Sequence, residues 1–150
     1  MLTVQDVAKW FLGKESMTHK KLQKLCYYGQ AWSCALYNGR PLFNAEIQAW
    51  VHGPVIPELY VKYVDYKWLP IEQLHDETIS LCEEEEDVLN AVYDTYGPLT
   101  GDQLERLTHS ELPWKEARGD LEPWVTSRTP IDLSTMERFY KDYYEKTQND

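Results

Sequence analysis

Between residues 4 and 36 the apolar positions recur at intervals of three and four, the period of helices with one buried face. Val4, Val7, Ala8, Phe11 and Leu12 make the first stripe, opened by Thr3 with Asp6 as an approximate capping box and closed at Gly13. Thr18 is placed to cap a second, longer helix whose stripe is Leu22, Leu25, Cys26, Gly29, Trp32 and Leu36. Lys20, Lys21 and Lys24 fall on its other side and Gly29 permits a close helix crossing, so this reads as the central helix. After the turn-forming "NGRPLF" the period drops to two. Ile47, Ala49 and Val51 alternate with Gln48, Trp50 and His52, a short half-buried strand that Gly53-Pro54 is expected to end.

Pro57, with Glu58 behind it, opens a helix carrying Leu59, Tyr60, Tyr63, Val64 and Tyr66. "KWLPIEQLHDETISL" is irregular and reads as a loop with a turn or a short strand. "CEEEEDVLNAVYDTYG" places acids at a helix start, where the macrodipole favours them, with Val88, Leu89, Val92, Tyr93 and Tyr96 facing inward. Thr100 with Gln103 is a further capping box, and Leu104 and Leu107 point to the core. Pro113 begins a short helix with Arg118 near its end. Ser134 with Glu137 caps the last helix, Met136, Phe139, Tyr140 and Tyr143 pack, and the "EKTQND" tail frays. The sum is a mainly α fold: a single compact helical domain with a minor short β element, spanning residues 1–150.

Charge narrows the functional classes. There are 25 Asp and Glu against 15 Lys and Arg, a net charge of −10, which repels phosphate backbones and argues against direct nucleic-acid binding. The helix-turn-helix outline around residues 96–110 carries Asp102 and Glu105 against Arg106, a poor reading head for DNA. An acidic surface instead complements a basic protein. Cys26 and Cys34 lie on one helix, about 12 Å apart along its axis and too far for a disulfide, which suits a reducing, cytoplasmic compartment. No signal peptide or apolar run long enough to span a bilayer is recognisable.

The catalytic signals are weak. His19, His52, His75 and His109 have no metal-ligand spacing, so neither a metal nor another cofactor is expected. Cys26 lies inside an apolar stripe, where a thiol is inert packing. Ser110 follows His109 without a nucleophile elbow. The "HGPV" segment admits two readings. His52 caps a turn, Gly53 takes a positive φ and Pro54 stops strand pairing, or a rigid loop presents His52, Val55 and Tyr60 to a partner.

Residues 17–60, "MTHKKLQKLCYYGQAWSCALYNGRPLFNAEIQAWVHGPVIPELY", supply Lys21, Gln23, Lys24, Tyr28, Trp50, His52, Gly53, Pro54, Val55 and Tyr60 to one signature. His109, Glu111, Pro113 and Trp114, with Arg118, belong to a second, "YGxLxxxxLxxLTHxExPWxxAR". Together they resemble the Panacea domain, the SocA-like antitoxin family often found in prophages. The resemblance implies a non-catalytic antitoxin that neutralises a cognate toxin protein by direct binding. The implied toxins act on translation or resemble alarmone synthetases, and a basic one would suit this surface. It also implies an alternative, an adaptor delivering the toxin to the ClpXP protease. A small hydrolase using His52 and His109, with or without a metal, is the third reading. No separate DNA-binding domain is expected, and partner choice is expected on variable surface outside the motifs. On that view the two motifs build a scaffold corner, with His52 and His109 in hydrogen bonds.

Overall fold

The computed structural model describes residues 1–148. Among these, seven helices and one small hairpin follow in the order α1 (Val4–Leu12), α2 (His19–Leu36), β1 (Gln48–Trp50), β2 (Gly53–Val55), α3 (Pro57–Tyr63), α4 (Glu83–Tyr96), α5 (Gly101–Ser110), α6 (Leu112–Arg118) and α7 (Leu133–Gln148). A 3-10 turn, Val64–Tyr66, extends α3. The fold is thus the mainly α architecture that the hydrophobic pattern predicts.

Local chemistry sets the helix starts. Thr3 and Asp6 form a reciprocal capping box on α1, Thr100 and Gln103 form another on α5, and the Thr18 side chain accepts from the Lys21 amide on α2. The last helix departs from expectation. Ser134 is not its cap: the Asp132 carboxylate accepts from the Ser134 amide at 2.9 Å and from its hydroxyl at 3.0 Å. A residue two positions earlier takes that role, because Leu133 already has helical geometry. Helix α7 continues through Gln148, so residues 145–148 are helical rather than frayed, and 149–150 lie outside the described residues.

Helix α2 is the axle. It packs against α1, α3, α4, α5, α7 and the hairpin, and residues 21–31 are buried without exception. Lys21 and Lys24, expected on a face away from the core, are therefore inside it. The reason is that irregular chain covers the polar side, and that chain carries backbone groups that need partners. Gln30 Oε1 accepts from the Leu42 and Phe43 amides at 2.8 and 3.1 Å, and its Nε2 donates to the Phe43 carbonyl at 2.8 Å. Gln23 treats Ile56 alike, accepting from its amide at 2.8 Å and donating to its carbonyl at 3.1 Å. Lys21 donates to the Gly97 carbonyl at 2.6 Å and pairs with Glu15 at 3.2 Å. At Gly29, a Cβ would come within 3.2 Å of Leu42 and 3.6 Å of Leu89, so the residue admits both side chains.

The aromatic residues join α2, α4, α6 and α7. Tyr28 stacks on Tyr96 with ring centres 3.9 Å apart, and Trp32 donates to the Tyr96 hydroxyl at 2.9 Å. The Tyr28 and Tyr140 hydroxyls both donate to Glu111, at 2.7 and 2.9 Å. With its own proton so used, the Tyr140 hydroxyl accepts from Tyr27 at 2.9 Å. Tyr143, expected to pack, is 52% exposed, and Leu36 is exposed as well.

Candidate functional site: a cationic cavity at the hairpin corner

Gly53-Pro54 does not end the β element. The two residues open β2, which pairs antiparallel with β1 through Gln48↔Val55, Ala49↔Pro54 and Trp50↔Gly53, across a tight turn at Val51-His52. Pro54 is tolerated because the amide it lacks is not needed there. The β1 edge facing away bonds instead to a third segment: the Ala49 amide donates to the Thr129 carbonyl at 2.9 Å, and the Ile131 amide to Ile47 at 2.7 Å.

The second motif locks this hairpin. Trp114 donates its indole N–H to the Trp50 carbonyl at 2.8 Å. Arg118 is buried at the end of α6, where one nitrogen donates to the Ala49 carbonyl at 3.2 Å. The other donates to Glu122 at 3.0 Å and to Val125 at 2.6 Å. Its guanidinium also lies over the Trp114 ring. The bonds from Trp114 to Trp50 and from Arg118 to Ala49 fasten a short hairpin, marginal by itself, into a corner with α6.

Beneath the corner opens a cavity of about 880 Å³, walled by the start of α2, the hairpin, α3 with the loop behind it, the start of α5 and residues 126–128. Of the motif residues, Gln23, Lys24, Trp50, His52, Val55 and Tyr60 line it. Trp50 and Tyr60 meet edge to face at 4.9 Å. Lys24 is 1% exposed, and burial pushes its ammonium down to about 7, with Lys20 adding to the effect and Glu105 opposing it. Its neighbour His19 is lowered as well, by burial first and then by Lys24. Burial also works against the charge of Lys20, but hydrogen bonds to Glu105 and Asp102 raise it overall. Glu105, which burial alone would raise, is held low by Lys20 and His52.

The remaining motif residues stand elsewhere. Lys21 ties α2 to Gly97, Tyr28 and Glu111 belong to the tyrosine cluster, and Gly53, Pro54 and Pro113 are buried parts of the frame. His109 stacks on Trp114 with ring centres 4.0 Å apart, and burial lowers its pKa. Of the two histidines expected in hydrogen bonds, His52, with a 71% exposed side chain, reaches a Glu105 oxygen at 3.4 Å, whereas the buried His109 Nε2 has no partner among the described residues.

Sequence reasoning left Arg118 out of the candidate residues although the second motif ends on it. Lys67, Trp68 and Arg128 also line the cavity, and they come from irregular segments where no periodicity could have flagged them. Among the described residues no three His, Cys, Asp or Glu side chains are grouped so as to hold a metal ion. Cys26 is fully buried, which pushes its thiol far above the ordinary range. No described helix is long and apolar enough to cross a membrane.

A second concavity, of about 410 Å³, runs between α4 and α7 and is lined by Trp32, Leu36, Val88, Ala91, Tyr143 and Tyr144 among others. The same helices carry exposed acids, Asp87 and Asp94 on α4 and Glu145 on α7, while Glu84 pairs with Arg40 and Asp142 with Lys146.

Corner, cavity and tyrosine cluster thus all draw on the two sequence signatures. The family model described as antitoxin SocA-like, Panacea domain, matches residues 22–115, from the first signature through Trp114, and the chain belongs to that family. No curated protein and no solved structure matches it.

Proposed function

We propose that the protein is an antitoxin that neutralises a cognate toxin by binding it directly, working as one domain, with the toxin seated on the groove between α4 and α7. The family assignment supports an antitoxin rather than an enzyme. The observation that carries the location is the aromatic and aliphatic surface left open there: Tyr143 and Tyr144 are 52% and 42% exposed beside Leu36 at 37%. Partly exposed aromatics in a groove with a polar rim are the composition of a binding hot spot. The exposed acids of α4 and α7, on a chain of net charge −10, favour a basic partner and speed its approach.

On this reading the motif residues hold the frame and the toxin is chosen elsewhere. Helix α7 lies beyond the matched residues 22–115, as a partner-specific wall would.

Co-expression with the product of the neighbouring gene, scored by growth and copurification, tests the proposal. Rescued growth with a stable complex supports direct binding. Rescued growth with the toxin degraded points instead to delivery to a protease such as ClpXP. Absence of both rescue and complex overturns the antitoxin reading for that pair. A complex whose association rate ignores salt would remove the electrostatic part of the argument.

A further inference from the structure

The buried ammonium of Lys24 has no partner of its own. Among the described residues it makes neither a hydrogen bond nor an ion pair, and Glu105 acts on it only at longer range. A buried cation without a counter-charge is costly, and it costs more than a hydrophobic residue of the same length would in its place. The end of the side chain lies beneath Gly53, and Lys24 is among the residues that line the cavity; packing accounts for the methylene stem but not for the charge.

The surroundings extend that observation. Four cationic side chains, Lys20, Lys24, Lys67 and Arg128, line the cavity against one acid, Asp102, in a chain whose net charge is −10. Asp102 is already bound to Lys20 at 2.9 Å. Lys67 and Arg128 have no ion pair among the described residues, and Arg128 lies over the Trp50 ring at 5.5 Å. Trp50, Tyr60 and Trp68 offer flat apolar walls, Trp68 being 80% exposed. A volume of about 880 Å³ is in the range of small-molecule sites, which pair apolar walls with a few converging polar groups.

We propose that this cavity binds a small organic anion with a planar ring, its phosphate or carboxylate against Lys24 and its ring among Trp50, Tyr60 and Trp68. The bound anion supplies the counter-charge that the protein withholds, while Lys67 and Arg128 add long-range attraction. This site is independent of the toxin groove, so loss of one reading leaves the other standing.

Calorimetry with two probe pairs tests it: adenosine 5′-monophosphate against adenosine, and indole-3-carboxylate against indole. At least one anion is expected to bind at least tenfold more tightly than its neutral counterpart, and whichever does identifies the head group as phosphate or carboxylate. Lys24→Met keeps the stem and removes the charge, so it should weaken that binding at least tenfold while Tm stays level or rises. Because Lys24 titrates near 7, binding at pH 8 should take up a proton, seen as a heat that changes with the buffer's ionisation enthalpy. That proton uptake should vanish in Lys24→Met. Absence of binding by both anions at millimolar concentration overturns the proposal, as does tight binding that Lys24→Met leaves intact.

Discussion

Gly53 sits so close to Lys24 that a Cβ built on it would lie 2.8 Å from the lysine Cε, and its φ of +108° is one that side chains rarely adopt. The glycine of the "HGP" motif therefore meets two demands, the backbone turn at the mouth of the hairpin and room for a buried lysine. Gly53→Ala should cost about 1–3 kcal/mol from backbone strain alone, with more from the contact. Adding Lys24→Ala should recover the contact part and leave the strain, so the two substitutions should couple in a double-mutant cycle read by urea denaturation. Strict additivity would show that the close approach has no energetic weight.

Gln30 closes three backbone bonds of a loop that has no regular structure to satisfy them. Gln30→Leu matches the size and strands two amides and a carbonyl inside the core. At roughly 1–3 kcal/mol for each buried group left unpaired, the loss should be about 3 kcal/mol or more. A loss under about 1 kcal/mol in the same denaturation assay would mean that the loop rearranges to find other partners.

Glu111 is raised above its ordinary value of 4.5, by burial, against the opposing donors Tyr28 and Tyr140. The folded chain then holds this proton more tightly than the unfolded chain does. Its contribution is fully present below the ordinary value and is lost as pH rises through the raised one. Glu111→Gln keeps an oxygen for both tyrosines and cannot ionise. The Tm of the variant relative to the natural chain should therefore rise between pH 4.5 and neutrality. A difference that stays flat with pH would show that the carboxyl titrates no differently in the fold.

His52 and Trp114, both in the shared signatures, should part company. His52 is mostly exposed, and His52→Ala should change stability by no more than about 0.5 kcal/mol, as for other surface positions. Trp114 is buried, donates to the Trp50 carbonyl and lies between His109 and Arg118, so Trp114→Ala should cost about 3–5 kcal/mol. A large Tm loss at His52 would restore the histidine as part of the scaffold.

What could be read in advance divides by range. Thr3, Thr18 and Thr100 were legible as caps because capping is settled within four residues. Lys21 and Lys24 misled because their burial depends on what lies over α2, namely the chain at Gly97 and Glu15 for Lys21 and the hairpin at Gly53 for Lys24, and periodicity along one helix carries no such information. Gly53-Pro54 looked like a strand end and is a strand start, since only the two-residue turn at Val51-His52 distinguishes the two. The cavity was the least visible feature. Its walls come from segments around residues 20, 50, 67, 100 and 127, and Lys67, Trp68 and Arg128 sit where no repeating pattern marks them.

Tyr143 and Tyr144 separate binding from folding most directly. Both rings stand about Trp32, at 6.2 and 6.3 Å between centres, with large parts of their surface open. Replacing both with serine removes exposed aromatic area while the Tyr27–Tyr140–Glu111 cluster beneath stays whole. Stability should therefore change by about 1 kcal/mol or less, whereas a hot-spot aromatic lost from a bound interface costs 2 kcal/mol or more, about a thirtyfold loss of affinity. The reading on which the α4–α7 groove holds the toxin requires that difference. Equal losses of Tm and of toxin binding would make the tyrosines part of the core, and unchanged binding would move the toxin to another face.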